Sequence, residues 1–173
     1  MSKNVLVIGT GTIGEPLIGL LAEHRESLGL DKVIFLKRTP LSDERGKVEA
    51  LLRKGAEIVS TSDALSDFTK LGFSNVYDVE KAYEEADVII DCTPSGNDNW
   101  DTIYSSLNKN KRYMAQGSEH GFGSFFAWGI NNEVLKNGNN KYLIASCNTH
   151  NIASIIKAFA LNQDRELTEG RFV

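Results

Sequence analysis

Cysteine is scarce: Cys92 and Cys147 are the only two in the chain and form no CxxC pair, which leaves no basis for a disulfide framework or a zinc ribbon. The three histidines, His24, His120 and His150, stand far apart and none falls at metal-ligand spacing, so no metal is expected. Proline occurs three times, and no proline-rich linker, internal repeat or low-complexity segment marks a boundary. Long apolar runs are missing as well. The stretch before the first glycine is only Val5 to Ile8, far short of a signal h-region or of the ~20 apolar residues of a membrane span. A cytoplasmic location is expected. Excess positive charge is also lacking, since 19 Lys and Arg face 23 Asp and Glu for a net charge of −4. Neither nucleic acid nor an anionic membrane is expected as a partner.

What remains is a composition that folds. Hydrophobic residues make up 41% of the 173 and charged residues 24%, enough for a core in a chain of single-domain length. Short apolar runs recur at Val5 to Ile8, Val33 to Leu36, Ile58 to Val59, Val88 to Ile90, Tyr113 to Ala115 and Tyr142 to Ala145, most of them β-branched. Amphipathic stretches lie between them: Ile13, Leu17, Leu20, Leu21 and Leu28; Val48, Leu51 and Leu52; Val79, Ala82, Tyr83 and Ala86; Trp100, Ile103, Tyr104 and Leu107. Spacings of three and four put each set on one helical face. A last helix is expected over roughly Thr149 to Asn162, with Ile152, Ile155, Ile156 and Phe159 on one face, and Gly170-Arg171-Phe172-Val173 reads as a strand just beginning. The alternation predicts an α/β fold: a Rossmann-type, doubly wound, mostly parallel sheet in a three-layer αβα arrangement.

The first strand runs directly into Gly9-Thr10-Gly11-Thr12-Ile13-Gly14, a GxGxxG that opens an amphipathic helix carrying Pro16 in its first turn. In that context Gly9 serves the tight turn, Gly11 lets a pyrophosphate approach the backbone, and Gly14 allows helix and strand to pack closely. A dinucleotide cofactor is expected. An acid at the end of the second strand would bind the ribose 2′-hydroxyl of NAD, whereas basic residues accept the 2′-phosphate of NADP. Here the strand ends Lys37-Arg38-Thr39-Pro40 with no acid. These residues suit a phosphate clamp, which favours NADP and leaves NAD open. The plainer alternative is that Lys37 and Arg38 only solvate the strand end.

The last strand leads into Ala145-Ser146-Cys147-Asn148-Thr149-His150. A cysteine at the mouth of a parallel sheet and in the first turn of a helix sits where the helix dipole favours the thiolate. Such a thiolate adds to an aldehyde, and the thiohemiacetal gives up hydride to a nicotinamide, leaving a thioester open to water or phosphate. The Asn148 side chain or nearby backbone N–H groups would stabilise the oxyanion.

Four segments, VLVIGTGTIGEPL, DVIIDCTPSG, YMAQGSEH and YLIASCNT, resemble in order and spacing the glyceraldehyde-3-phosphate dehydrogenase family, in particular its archaeal branch. The resemblance runs along essentially the whole chain and is most specific at SCNT and AQGSEH. It implies a homo-oligomeric oxidoreductase of glycolysis and gluconeogenesis that takes a sugar-phosphate aldehyde to an acyl phosphate with NAD or NADP. It further implies Cys147 as the catalytic nucleophile and Ser146 and Asn148 as substrate-binding residues. Thr12, Ile13, Thr93, Pro94 and Gly117 become cofactor contacts beside the glycines. Cys92 matches a family residue other than the nucleophile and reads as a small buried apolar group.

Two departures stand out. His150 and Asn151 follow SCNT where the family has Thr and Gly. His150 lies on the helical face of Cys147, which suggests a general base, although shaping the pocket is the plainer role. His120 has a similar claim to substrate or cofactor contact, and His24 reads as structural or solvated. The resemblance also implies that residues 1–146 correspond to the family's dinucleotide-binding domain and 147–173 to the start of its catalytic domain, the rest of which is expected to be absent from this chain. The expectation is therefore a cofactor-binding part of a larger enzyme. A stand-alone dinucleotide-binding module and a semialdehyde or acyl-phosphate reductase are the alternatives.

Overall fold

The computed structural model describes residues 3–161 and 167–171. Among them are eight strands and six α-helices in the order β1 (Asn4–Ile8), α1 (Gly14–Glu23), β2 (Lys32–Leu36), α2 (Arg45–Arg53), β3 (Glu57–Ser60), α3 (Leu65–Lys70), β4 (Tyr77–Asp78), α4 (Val79–Glu85), β5 (Val88–Asp91), α5 (Gly96–Thr102), β6 (Arg112–Ala115), β7 (Ser124–Phe126), β8 (Lys141–Ile144) and α6 (Cys147–Phe159). The strands form one sheet ordered β4-β3-β2-β1-β5-β6-β8-β7. All of its pairings are parallel, a stricter result than the mostly parallel sheet expected. The fold is a Rossmann-type, doubly wound αβα sandwich.

Side-chain alternation along the strands builds the two faces. Val5, Val7, Val33 and Phe35 point into one core, where Ile18 and Ala22 of α1, Val48 and Leu51 of α2 and Phe68 of α3 meet them. Leu6, Ile8, Ile34 and Leu36 point into the other, closed by Val79, Ala82 and Tyr83 of α4 together with Tyr104, Tyr113 and Phe122. The chain winds outward from β1 to β4, then returns through α4 to place β5 on the other side of β1. The strand order reverses between β1 and β5, and the crevice beyond the C-terminal ends of these strands is where open α/β sheets bind ligands.

Several expectations change in detail. The inward stripe of α1 is Gly14, Ile18, Gly19 and Ala22, while Ile13, Leu20 and Leu28 are exposed. The leucines outweigh the small residues in a hydrophobic count, yet only the small side lets α1 sit close to the sheet. The Trp100 to Leu107 stretch is not one helix: α5 stops at Thr102 and a 3-10 turn covers Tyr104–Ser106, although Trp100, Ile103, Tyr104 and Leu107 still pack on the same core. α6 begins at Cys147, two residues before the expected start, and buries none of its residues. Ile155 and Phe159 of α6 are exposed, as is Trp128 beside it. Asn162, Phe172 and Val173 lie outside the described residues, and Gly170 and Arg171 form no strand. No helix among the described residues is long and apolar enough to cross a membrane.

Candidate functional site

The expected site residues gather at the C-terminal ends of β1, β2, β5, β6 and β8. Gly9 leaves β1 at φ +95°, in the left-handed region that favours glycine. A Cβ on Gly14 would stand 1.9 Å from the Gly9 carbonyl oxygen, so this position tolerates no side chain, whereas a Cβ on Gly11 would meet nothing within 4 Å. Gly14 thus closes the turn, and the exposed Gly11 leaves the open approach that a pyrophosphate needs. Thr12 and Ile13 are exposed beside it. This cradle fits a dinucleotide.

The end of β2 departs from the clamp expected of Lys37, Arg38 and Thr39. A pocket of about 200 Å³ is lined by Gly9, Thr10, Lys37, Arg38, Thr39 and Thr93, so all three do border the crevice. Lys37, however, is buried, and its ammonium is ion-paired with the Glu44 carboxylate. Its backbone is held too, by Lys37 N–H to the Val59 carbonyl (3.0 Å) and by the Ser60 hydroxyl to the Lys37 carbonyl (2.7 Å). Arg38 is exposed and makes no side-chain hydrogen bond or ion pair among the described residues. The clamp is split, with one cation committed and the other free.

β5 ends on a buried carboxylate. Asp91 accepts hydrogen bonds from the Thr93 N–H (2.8 Å) and hydroxyl (2.6 Å), from the Asn99 amide (2.7 Å) and from the Tyr104 hydroxyl (2.7 Å). Four donors offset the cost of burying the charge. They also fix the Thr93-Pro94 turn over the glycine turn, where a Gly9 Cβ would come within 3.0 Å of the Thr93 methyl. Burial and the same carboxylate together raise the Tyr104 phenol. Burial, followed by Asp91, pushes the Cys92 thiol up to about 11, in keeping with an apolar residue.

Cys147 is exposed at the first position of α6. The Ser146 hydroxyl caps that helix by accepting from the Thr149 N–H (3.3 Å), so its side chain serves the turn that presents the thiol. Cys147 borders an apolar pocket of about 480 Å³ with Ile13, Leu17, Cys92, Gln116, Gly117 and Ser146. Asn148 is exposed next to it. His150 places Nε2 2.9 Å from the Trp128 carbonyl oxygen, which ties the α6 helix to the loop after β7. His120 is exposed, and its carbonyl accepts from the Asn97 amide (3.1 Å). His24 caps the C-terminus of α1. Among the described residues, no cluster of His, Cys, Asp and Glu is arranged to hold a metal ion.

The glyceraldehyde-3-phosphate dehydrogenase of Sulfurisphaera tokodaii is 28% identical over 156 residues, which is 88% of this chain and 42% of that protein. Glyceraldehyde-3-phosphate dehydrogenase 1 of Methanosarcina acetivorans is 27% identical over 94% of this chain and 45% of its own length. The Methanothermus fervidus enzyme is 25% identical over 90% and 44%. The chain is a sequence relative of archaeal glyceraldehyde-3-phosphate dehydrogenases. It spans less than half the length of these relatives. No family model matches it. Among solved structures, Haloferax mediterranei glucose dehydrogenase in complex with NADP, zinc and gluconolactone aligns with 91% of this chain and 41% of its own at 18% identity and TM-score 0.47. A thermostable alcohol dehydrogenase from Pyrobaculum aerophilum aligns at 19% identity and TM-score 0.43.

Sequence reasoning passes over four residues that build the crevice: Glu44, Asp91, Gln116 and Glu119. Gln116 donates to the Thr93 carbonyl (3.3 Å) and to the Ser118 hydroxyl (2.6 Å), joining the turns after β5 and β6. The buried Glu119 accepts from the Asn97 N–H (2.9 Å). The one signal in the sequence is the acid closing the apolar run Val88 to Asp91, where a charge at a strand's C-terminal end marks the ligand side of the sheet.

Proposed function

We propose that this chain binds NADP or NAD across the β1–β5 crevice and carries the nucleophile of a glyceraldehyde-3-phosphate dehydrogenase-type oxidation of a phosphorylated aldehyde. The observation that carries this reading is that Ile13 of the glycine turn and Cys147 line one apolar pocket, so a cofactor seated on the turn ends beside the thiol. Gly11 and the N-terminus of α1 would receive the pyrophosphate. Arg38 and Thr39 face the adenosine ribose in a pocket that Thr93 of the Thr93-Pro94 turn also lines, while Gly117 borders the far end beside Cys147.

The chemistry assigned to Cys147 is addition of its sulfur to the aldehyde carbon, with the carbonyl oxygen taking up a proton and the Asn148 side chain steadying the charge that develops on it. Cys92, Ile13 and Leu17 give that pocket its apolar wall. When bound, the nicotinamide would supply the hydride acceptor that takes the adduct to a thioester open to phosphate. His150 is assigned to holding the loop at Trp128, whose carbonyl oxygen its Nε2 meets.

Calorimetric titration with NADP and NAD, followed by phosphate-dependent reduction with glyceraldehyde 3-phosphate, tests the reading. Saturable binding that survives in Cys147→Ser, with reduction lost in that variant, is expected. Absence of binding to either dinucleotide would overturn it. A second reading, a dinucleotide-binding module without chemistry, predicts the same binding and no thiol-dependent reduction.

A further inference from the structure

Strand alternation sends Lys37 and Arg38 to opposite faces of the sheet. Phe35 points to the α1–α2 side and Leu36 to the α4 side, so Lys37 follows Phe35 beneath the 3-10 turn Ser42–Glu44 and Arg38 follows Leu36. The Lys37 side chain is only 10% exposed and meets the Glu44 carboxylate, itself 27% exposed. Glu44 borders a small hollow with Thr10, Glu15, Lys37 and Lys47. That hollow shares Thr10 and Lys37 with the pocket at the end of β2. Lys47, the other cation there, stands 3.6 Å from the Glu15 carboxylate. Each lysine of this corner is matched to an acid, and among the described residues the free cation of the crevice is Arg38, on the opposite face.

We propose that Glu44 biases this chain toward NAD by withholding Lys37 from a 2′-phosphate and offering its own carboxylate to a ribose 2′-hydroxyl. The inference rests on the dinucleotide-binding reading above and deepens it. A 2′-phosphate approaching Lys37 must displace or approach an anion, and like charges at contact are unfavourable in a half-buried corner. A 2′-hydroxyl donates to a carboxylate without that penalty. The acid missing from the end of β2 is therefore supplied seven residues after Lys37, through a turn rather than through the strand.

The experiment compares ADP-ribose with 2′-phospho-ADP-ribose, which isolate the adenosine end, by calorimetric titration of the full chain. In Glu44→Gln the affinity for 2′-phospho-ADP-ribose should rise relative to ADP-ribose by about tenfold, the equivalent of one new charge-assisted hydrogen bond to the phosphate. In the double variant Lys37→Met with Glu44→Gln the absolute gain in 2′-phospho-ADP-ribose affinity should disappear, because Lys37 is its source, while the weakening of ADP-ribose that follows loss of the carboxylate should remain. Far-UV circular dichroism and the urea midpoint report whether each variant is folded. If Glu44→Gln cannot be purified folded, Glu44→Asp, whose carboxylate is drawn back by one methylene, should shift the ratio in the same direction by a smaller factor. A ratio unchanged in the single variants, or an absolute gain in 2′-phospho-ADP-ribose affinity that persists without Lys37, overturns the inference while leaving dinucleotide binding intact. Wild-type protein that binds neither compound overturns the dinucleotide reading itself.

Discussion

Gly117, at the exit of β6, lies against the backbone of Ser146: a Cβ on Gly117 would stand 2.6 Å from the Ser146 nitrogen and 2.9 Å from its Cα. The turn after β6 therefore sets where α6 begins, and with it where Cys147 points. Gly117→Ala must push that junction aside, at a cost of about 1–3 kcal/mol. Urea denaturation should show the loss of stability, and the alkylation rate of Cys147 should change in the variant. An unaltered rate together with unaltered stability would mean that the junction yields freely.

The two glycines of the fingerprint separate folding from binding. Gly14→Ala places a methyl 1.9 Å from the Gly9 carbonyl oxygen and should lower the urea midpoint and abolish NADP binding together. Gly11→Val meets open space and should leave the midpoint nearly unchanged while weakening NADP at least about tenfold, because its side chain occupies the pyrophosphate approach.

Asp91→Asn keeps the shape of the carboxylate and removes its charge. The buried Tyr104 hydroxyl and Asn99 amide, both donating to the same Asp91 oxygen, would lose a charged acceptor at about 2–3 kcal/mol. The Thr93-Pro94 turn loosens with them, so both the urea midpoint and the affinity for NADP should fall.

Much of this fold is legible in the sequence because its strands are buried on both faces. The runs at Val5, Val33 and Val88 stand out as unbroken apolar segments, and the GxGxxG marks the turn after the first. β4 and β7 do not stand out, since Tyr77–Asp78 and Ser124–Phe126 are short edge-side strands without alternation. α3 escapes notice because only Phe68 of its residues is buried. At the site, the glycines and Cys147 are readable from local pattern. Lys37–Glu44 and Asp91–Tyr104 are not, because each joins a strand end to a residue that only the tertiary fold brings near. For Lys37, local sequence shows the cation and hides its counter-ion, Glu44.

Alkaline pH offers a check on the buried groups. The Cys92 thiol moves from an ordinary 9.0 to about 11. As pH climbs past 9 the unfolded chain releases this proton first and the folded chain only near 11, so the unfolded state binds fewer protons and stability falls with rising pH. The contribution is fully present below about pH 9 and is lost through pH 11. Tyr83, pushed by burial to about 12, adds a loss of the same sign at higher pH. Urea midpoints measured between pH 8 and 11 should decline, and less steeply in Cys92→Ala.

A dinucleotide seated on the glycine turn should end beside Cys147, and every functional assignment above depends on that placement. Its most direct test is the rate of iodoacetamide alkylation at neutral pH, followed by peptide mass mapping, without ligand, with saturating NADP and with 2′-phospho-ADP-ribose, which lacks the nicotinamide. The predicted result is labelling at Cys147 ahead of Cys92, with a rate that NADP alters and the truncated analogue does not. Labelling of Cys92 first, or a Cys147 rate indifferent to bound NADP, would contradict it.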